Sequence, residues 1–77
     1  MNSYPLYFSN SQGERRRIAL VSTPSEVFQA IEKFLEEHNY KSYYTRIYQT
    51  TGMEWCIDVG SWSECFYVSV EIDLIGA

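Results

Sequence analysis

The sequence predicts a two-layer α+β domain in which one helix packs on an antiparallel sheet of four to five strands, in the order ββαβββ. Two observations support this fold class. Apolar residues alternate with mostly polar ones from Met53 to Leu74, which indicates two strands with one buried face. A complete helix-start signal begins at Thr23. The 77 residues leave room for a single domain, 1–77, with one modest core.

Residues 4–22 are predicted to form an N-terminal hairpin. The segment 4–9 is extended, with Pro5 near the strand start where proline is tolerated. Turn-forming residues at 10–13 separate it from a second extended segment at 15–22. A disordered terminus followed by one strand is the alternative.

Residues 24–38 are predicted to form the helix. Thr23 is suited to the N-cap, Pro24 to the first helical position, and Glu26 closes a capping box. Asn39 is suited to the left-handed conformation that ends a helix. Five residues at helical spacing form the stripe that faces the sheet: Val27, Ile31, Phe34, Leu35 and His38.

Residues 40–74 are predicted to form a three-stranded antiparallel meander. A three-residue loop, Thr50–Gly52, would place Gly52 at a positive φ and pair Gln49 with Met53. Two registers are open for the last hairpin. The first pairs Val59 with Glu64; the second makes 60–61 a two-residue turn and sets Cys56 opposite Cys65. We favour the first, because the second places Glu64 beside the apolar Ile57.

The sheet face that points away from the helix is the predicted binding surface. The two pairings place three cross-strand rows there: Tyr44/Asp58/Cys65, Arg46/Cys56/Tyr67 and Tyr48/Glu54/Ser69. Tyrosine and arginine are enriched where proteins bind partners, and a tryptophan at a hairpin tip is a frequent anchor. The alternatives are a solvated face with Arg46 tied to Asp58 or Glu54, and a Trp62 that folds back. The predicted binding residues are Tyr44, Arg46, Tyr48, Asp58, Trp62, Glu64 and Tyr67.

Charge disfavours nucleic acid as a partner. The net charge is −4, and an acidic domain repels a phosphate backbone. The run Arg15–Arg17 does not overturn this expectation, because at most two of three consecutive strand residues share a face.

No catalytic or metal-ligating set is predicted. His38 is the only histidine, and it lies on the core stripe of the helix. The cysteines Cys56 and Cys65 have no zinc-type spacing, and only Arg46 is expected near Cys56 to activate a thiol. We therefore expect a non-enzymatic protein without a cofactor.

The expected location is a reducing cytoplasm. The sequence contains no signal-peptide pattern and no apolar run long enough for a bilayer, so no membrane partner is expected. A chain of this size is only marginally stable alone, which makes a homodimer an alternative to a monomer.

Two stretches, Phe34 to Arg46 and Ile57 to Phe66, resemble small uncharacterised proteins encoded by bacteriophages and prophages of Gram-positive bacteria. The resemblance covers about half of the chain. It departs from the pattern at Cys65, where those proteins have phenylalanine, and its motifs are not specific to an activity.

This resemblance implies an accessory protein that acts on host machinery. We expect an anti-defence inhibitor that contacts a host protein in the host cytoplasm through the open sheet face and the 60–63 turn. One alternative is a sponge for a signalling nucleotide, for which the candidate cations are Arg46, Lys41 and Arg15–Arg17. Another is a structural protein of virion assembly.

Overall fold

The computed structural model describes residues 2–10, 12–41, 44–60 and 64–74. The predicted fold class is confirmed, since one helix and five antiparallel strands form an α+β arrangement of two layers. The strand order across the sheet is β2-β1-β5-β4-β3. The elements are β1 (Tyr4–Ser9), β2 (Arg15–Val21), α1 (Pro24–Glu37), β3 (Arg46–Gln49), β4 (Glu54–Asp58) and β5 (Cys65–Ser69).

The N-terminal hairpin is formed as predicted, because β1 pairs with β2 along its whole length. The Asn10 side chain accepts hydrogen bonds from the backbone N–H groups of Gln12 and Glu14, and Gly13 takes a φ of 80°. The pairing shifts between Leu6 and Tyr7, which leaves Ile18 as an extra residue in β2. This bulge lies in an edge strand.

The helix begins and ends at the predicted signals. Thr23 and Glu26 form both hydrogen bonds of the capping box. At the other end Asn39 has a φ of 59°, and the N–H of Tyr40 donates to the carbonyl of Leu35 at 2.9 Å. The prediction of Asn39 as the left-handed helix end is confirmed.

The core lies between the helix and the sheet, with β5 at the centre of the strand order. Phe66 is fully buried, and its ring centroid is 5.4 Å from that of Phe8 and 5.7 Å from that of Phe34. Both neighbours of β5, β1 and β4, contribute fully buried side chains. The core residues are Leu6, Phe8, Val21, Val27, Ile31, Phe34, Leu35, Ile57, Val59, Phe66, Val68 and Ile72.

The predicted register between β3 and β4 is wrong by two residues. Gln49 pairs with Trp55 instead of Met53, and Ile47 pairs with Ile57. The reason is the loop: Met53, not Gly52, takes the positive φ of 60°, and the N–H of Thr50 donates to the carbonyl of Glu54 at 2.8 Å. A shift of two residues keeps every side chain on its predicted face.

In the last hairpin the favoured register is confirmed, with Asp58 opposite Cys65 and Cys56 opposite Tyr67. The predicted strand is too long, however. It ends at Ser69 instead of Leu74, and the chain turns so that the N–H of Ile72 donates to the carbonyl of Ser69.

The first strand of the meander is also shorter than predicted, since it begins at Arg46 and not at Tyr40. Tyr40 instead lies beside Phe8 and Phe34, at ring centroid distances of 6.1 Å and 6.3 Å. Among the described residues, no helix is both long and apolar enough to span a bilayer.

Candidate functional site

The candidate site is the open face, which we define as the side of the sheet opposite α1. Strand alternation assigns its members from the observed pairing. One row crosses all five strands, from Arg17 through Tyr7, Tyr67 and Cys56 to Tyr48. The next row is Arg15, Ser9, Cys65, Asp58 and Arg46.

An exposed part of the open face is the edge stripe, which we define as Tyr44, Arg46 and Tyr48. These residues lie two apart along β3 and the segment before it, so their side chains share a side. Tyr44 is 49% exposed and Tyr48 46% exposed. The guanidinium carbon of Arg46 is 5.3 Å from the centroid of the Tyr44 ring, a cation–π distance.

Arg46 lies directly opposite Asp58, yet the two do not form an ion pair. The Asp58 carboxylate instead accepts the backbone N–H of Gly60 at 2.8 Å. The alternative carboxylate, Glu54, is bound by Arg15. Within the described ranges, Arg46 therefore has an exposed charge with no carboxylate partner.

Tyr67 lies at the centre of the open face, on the central strand β5. The guanidinium of Arg15 stacks 4.1 Å from the centroid of the Tyr67 ring, and its Nη1 donates to the Glu54 carboxylate at 3.0 Å. Arg15 thus links the edge strand β2 to β4, three strands away. The half-buried position of Tyr67 makes it part of the floor of the surface.

Two thiols lie diagonally on adjacent strands of the open face. Cys56 is fully buried although no described element covers this face, because Tyr48 and Tyr67 flank it in the same row. Burial raises the pKa of the Cys65 thiol to about 12, and the Cys56 thiol adds to the effect. A hydrogen-bonding contact with Cys56 raises the pKa of the Tyr48 phenol, while burial raises that of Tyr67. At neutral pH all three groups are protonated.

The seven predicted site residues do not all meet. Tyr44, Arg46, Tyr48, Asp58 and Tyr67 share the open face. The predicted rows that contained Tyr44, Arg46 and Tyr48 are each displaced by the register shift, so Arg46 is opposite Asp58 and Tyr48 opposite Cys56.

Glu64, predicted as a binding residue next to the 60–63 turn, lies on the helix side, where it lines a cavity with Asn39 and Lys41. Its position follows from alternation, since its neighbour Cys65 points to the open face. The prediction for Trp62 lies outside the described residues.

Sequence reasoning missed Arg15 and Tyr7 as members of the open face. Their place depends on the pairing of β1 with β5, which joins the two ends of the chain. The hairpin register alone could have placed Arg15 beside Ser9 and Arg17 beside Tyr7. It could not have placed either row next to Tyr67.

Four concave sites between 180 and 450 Å³ are formed by described residues. None of the four is lined by a residue of the edge stripe or by Tyr67. These four cavities are therefore separate from the edge stripe and from Tyr67.

His38 closes the helix end, where its Nδ1 donates to the carbonyl of Phe34 at 3.0 Å and its ring stacks on that of Phe34. It packs at the helix end as expected, but it is exposed and not part of the core. Within the described part of the chain, no three His, Cys, Asp or Glu side chains are placed to hold a metal ion.

The fold and the open face define a two-layer α+β domain with one uncovered sheet surface. Comparison of the chain with protein-family models, with curated proteins and with solved structures gives no match.

Proposed function

We propose that this chain is a small protein-binding module that recognises its partner through the edge stripe. The observation that supports the proposal most strongly is Arg46, an exposed guanidinium that no carboxylate of the described ranges binds, between two tyrosines that are each almost half exposed. Tyrosine and arginine dominate binding hot spots because they offer a large contact area together with directional hydrogen bonds.

The cellular role proposed for the module comes from the resemblance to phage and prophage accessory proteins. In that setting, a binding module acts by occupying a surface of a host protein. An anti-defence inhibitor in the host cytoplasm is the form of the proposal that we would test first.

The alternative of a nucleotide sponge receives less support from the cations. Arg15 is engaged by Glu54, while Arg16 and Lys41 line different cavities that also contain Glu14 and Glu64 respectively. A phosphate site needs several cations that converge without competing carboxylates. Assembly into a virion structure has no specific observation in its favour.

The test is site-specific photo-cross-linking in a lysate of a Gram-positive host. A photoreactive phenylalanine analogue replaces Tyr48 in one sample and the exposed helix residue Lys33 in the control. We expect a protein adduct from position 48 alone, and its loss when Arg46→Gln is added. Adducts of equal yield from both positions, or a yield that Arg46→Gln leaves unchanged, would contradict the proposal.

The same lysate is used to test the sponge. The purified chain is incubated briefly with the lysate and recovered, and the nucleotides bound to it are measured by mass spectrometry. A stoichiometric nucleotide, retained by wild type without a cross-linked protein, would replace the proposed function by the sponge.

A further inference from the structure

The outer edge of β3 has backbone hydrogen-bonding groups that no described strand uses. β3 is the last strand of the sheet and pairs only with β4. Because the N–H of Thr50 donates to Glu54 of the hairpin, antiparallel alternation directs the backbones of Tyr48 and Arg46 to β4 as well. The N–H and C=O groups of Ile47 and Gln49 then point outward.

The two edges of the sheet differ in how they are protected. The edge strand β2 contains three consecutive arginines and a bulge at Ile18, and both features prevent another strand from pairing. The pairing of β3 with β4 is regular, without a shift. The only charged residue of β3 is Arg46. Among the described residues, shortness and the single charge of Arg46 are the protective features of β3.

On the helix side, the β3 end of the sheet has space beside it. The helix approaches β2 most closely among the strands. A cavity of about 180 Å³ lies between α1 and the β4 side, and an apolar cavity of about 150 Å³ is enough for a benzene-sized group. Its lining is apolar apart from Glu32 and Thr45: Phe28, Ile31, Glu32, Leu35, Thr45, Ile57 and Val59.

On the open side, the exposed charge of Arg46 favours an acidic group in the incoming segment. A second copy of this chain could not supply one from the same edge, since β3 reads Arg-Ile-Tyr-Gln and contains no carboxylate. Charge complementarity therefore favours a foreign acidic segment over self-pairing.

From these four observations we propose that the partner binds as an extended segment that adds a sixth strand to β3. Its residues alternate, with aliphatic side chains toward the 180 Å³ cavity and Asp or Glu side chains toward Arg46 on the open side. This inference rests on the proposed function and specifies the partner chemistry of that same site. Main-chain hydrogen bonds to Ile47 and Gln49 hold the segment, and the alternating side chains select it.

The test measures fluorescence anisotropy with a labelled eight-residue probe in which valine and glutamate alternate. We expect saturable binding of this probe to the wild-type chain and binding to Arg46→Gln that is weaker by at least about tenfold. A valine–lysine probe is expected not to bind. A valine–glutamate probe in which every backbone amide is N-methylated is expected not to bind, because neither of its edges can donate hydrogen bonds.

A matched pair of variants isolates the strand edge. Gln49→Pro removes the outward N–H of an exposed residue and leaves the β3–β4 ladder intact, whereas Gln49→Ala removes only the side chain. We expect Gln49→Pro to weaken probe binding at least about tenfold and Gln49→Ala to leave it unchanged. Hydrogen exchange of the Ile47 and Gln49 amides is expected to slow when the probe binds to wild type.

Strand addition would be overturned if the acidic probe showed no saturable binding to wild type up to millimolar concentration. It would also be overturned if the probe bound Gln49→Pro as tightly as wild type, or if Gln49→Ala lost as much affinity as Gln49→Pro. The same holds if hydrogen exchange of the Ile47 and Gln49 amides did not slow when the probe bound. A concentration-dependent dimer that Gln49→Pro abolishes would assign the edge to a second copy and would also overturn it. Cross-linking at position 48 distinguishes the two proposals. An adduct that depends on Arg46 but survives Gln49→Pro retains the protein-binding function and rejects the added strand.

Discussion

The indole Nε1 of Trp55 donates a 2.6 Å hydrogen bond to the backbone carbonyl of Ile72. This bond attaches the segment after β5 to the helix side of the sheet, where Ile72 is 3% exposed. The same segment is held at its start by the N–H of Val70, which donates to the carbonyl of Met53. The indole of Trp55 in β4 therefore helps to hold Ile72 in its buried position.

Trp55→Phe is expected to lower the free energy of unfolding by about 1–3 kcal/mol, because the half-buried carbonyl of Ile72 loses its donor. Urea unfolding followed by circular dichroism measures the change. Tyr44→Phe is the control, since it removes a polar group from an exposed ring and is expected to change stability by less than about 0.5 kcal/mol. Equal stability of Trp55→Phe and wild type would show that the hydrogen bond contributes nothing net.

The loop before β4 provides a test of the register. Met53 has a φ of 60° and is 65% exposed, so Met53→Gly relieves backbone strain and loses little packing. We expect it to stabilise the protein by about 0.5–1 kcal/mol, measured by thermal unfolding.

Gly52→Ala is the partner experiment. A Cβ at Gly52 would meet Thr50 Oγ1 at 3.7 Å and Glu54 Oε1 at 3.8 Å, which are ordinary contacts, and its φ is not positive. We expect a neutral or slightly stabilising effect. A clear loss of stability would instead favour the register that pairs Gln49 with Met53.

The first turn of the helix should be sensitive to its cap. Thr23→Ala removes the acceptor for the Glu26 N–H and is expected to cost about 1 kcal/mol in unfolding free energy. Thr23→Ser keeps that acceptor and is expected to be close to neutral. If both substitutions cost the same, the lost interaction is packing of the threonine methyl group and not the cap.

Alkaline pH should destabilise the fold. The raised pKa values of Cys65, Tyr48 and Tyr67 mean that the folded state binds protons more tightly than the unfolded state. For Cys65 the contribution is complete below about pH 9 and is lost as the pH rises to about 12.

The measurement is the Tm between pH 7 and 11, for wild type and for Cys65→Ala. We expect the Tm of wild type to fall above about pH 9 and the fall to be smaller in the variant. A variant with an unchanged pH dependence would exclude Cys65 as a source of the effect.

The local elements could be predicted from sequence because each has its own signal. Thr23, Pro24 and Glu26 specify the helix start, and Asn39 specifies its end. Alternation from Glu54 to Ser69 specifies two strands and their faces. These are contacts between residues close in the chain, where propensity and geometry act together.

What could not be predicted depends on distant pairs or on small energy differences. Met53 adopts the left-handed conformation next to a glycine that would adopt it more easily, so tertiary pairing of Ile47 with Ile57 outweighs the local preference. The ion pair of Arg15 with Glu54 requires β1 to lie beside β5, which no short-range pattern indicates. Cross-strand pairing alone would also suggest an Arg46–Asp58 ion pair, but between these two described residues none forms, and the Asp58 carboxylate accepts the Gly60 N–H within the turn.

The strand order has a consequence for synthesis of the chain. β5 is the central strand, and Phe8 near the start pairs with Phe66 near the other end. On the ribosome, the hairpin of β1 and β2 and the helix can form early, but they have no central strand to pack on until residues 65–69 leave the exit tunnel. Closure of the core therefore waits for residues 65–69, and the nascent chain exposes the apolar side of its helix until that strand is available.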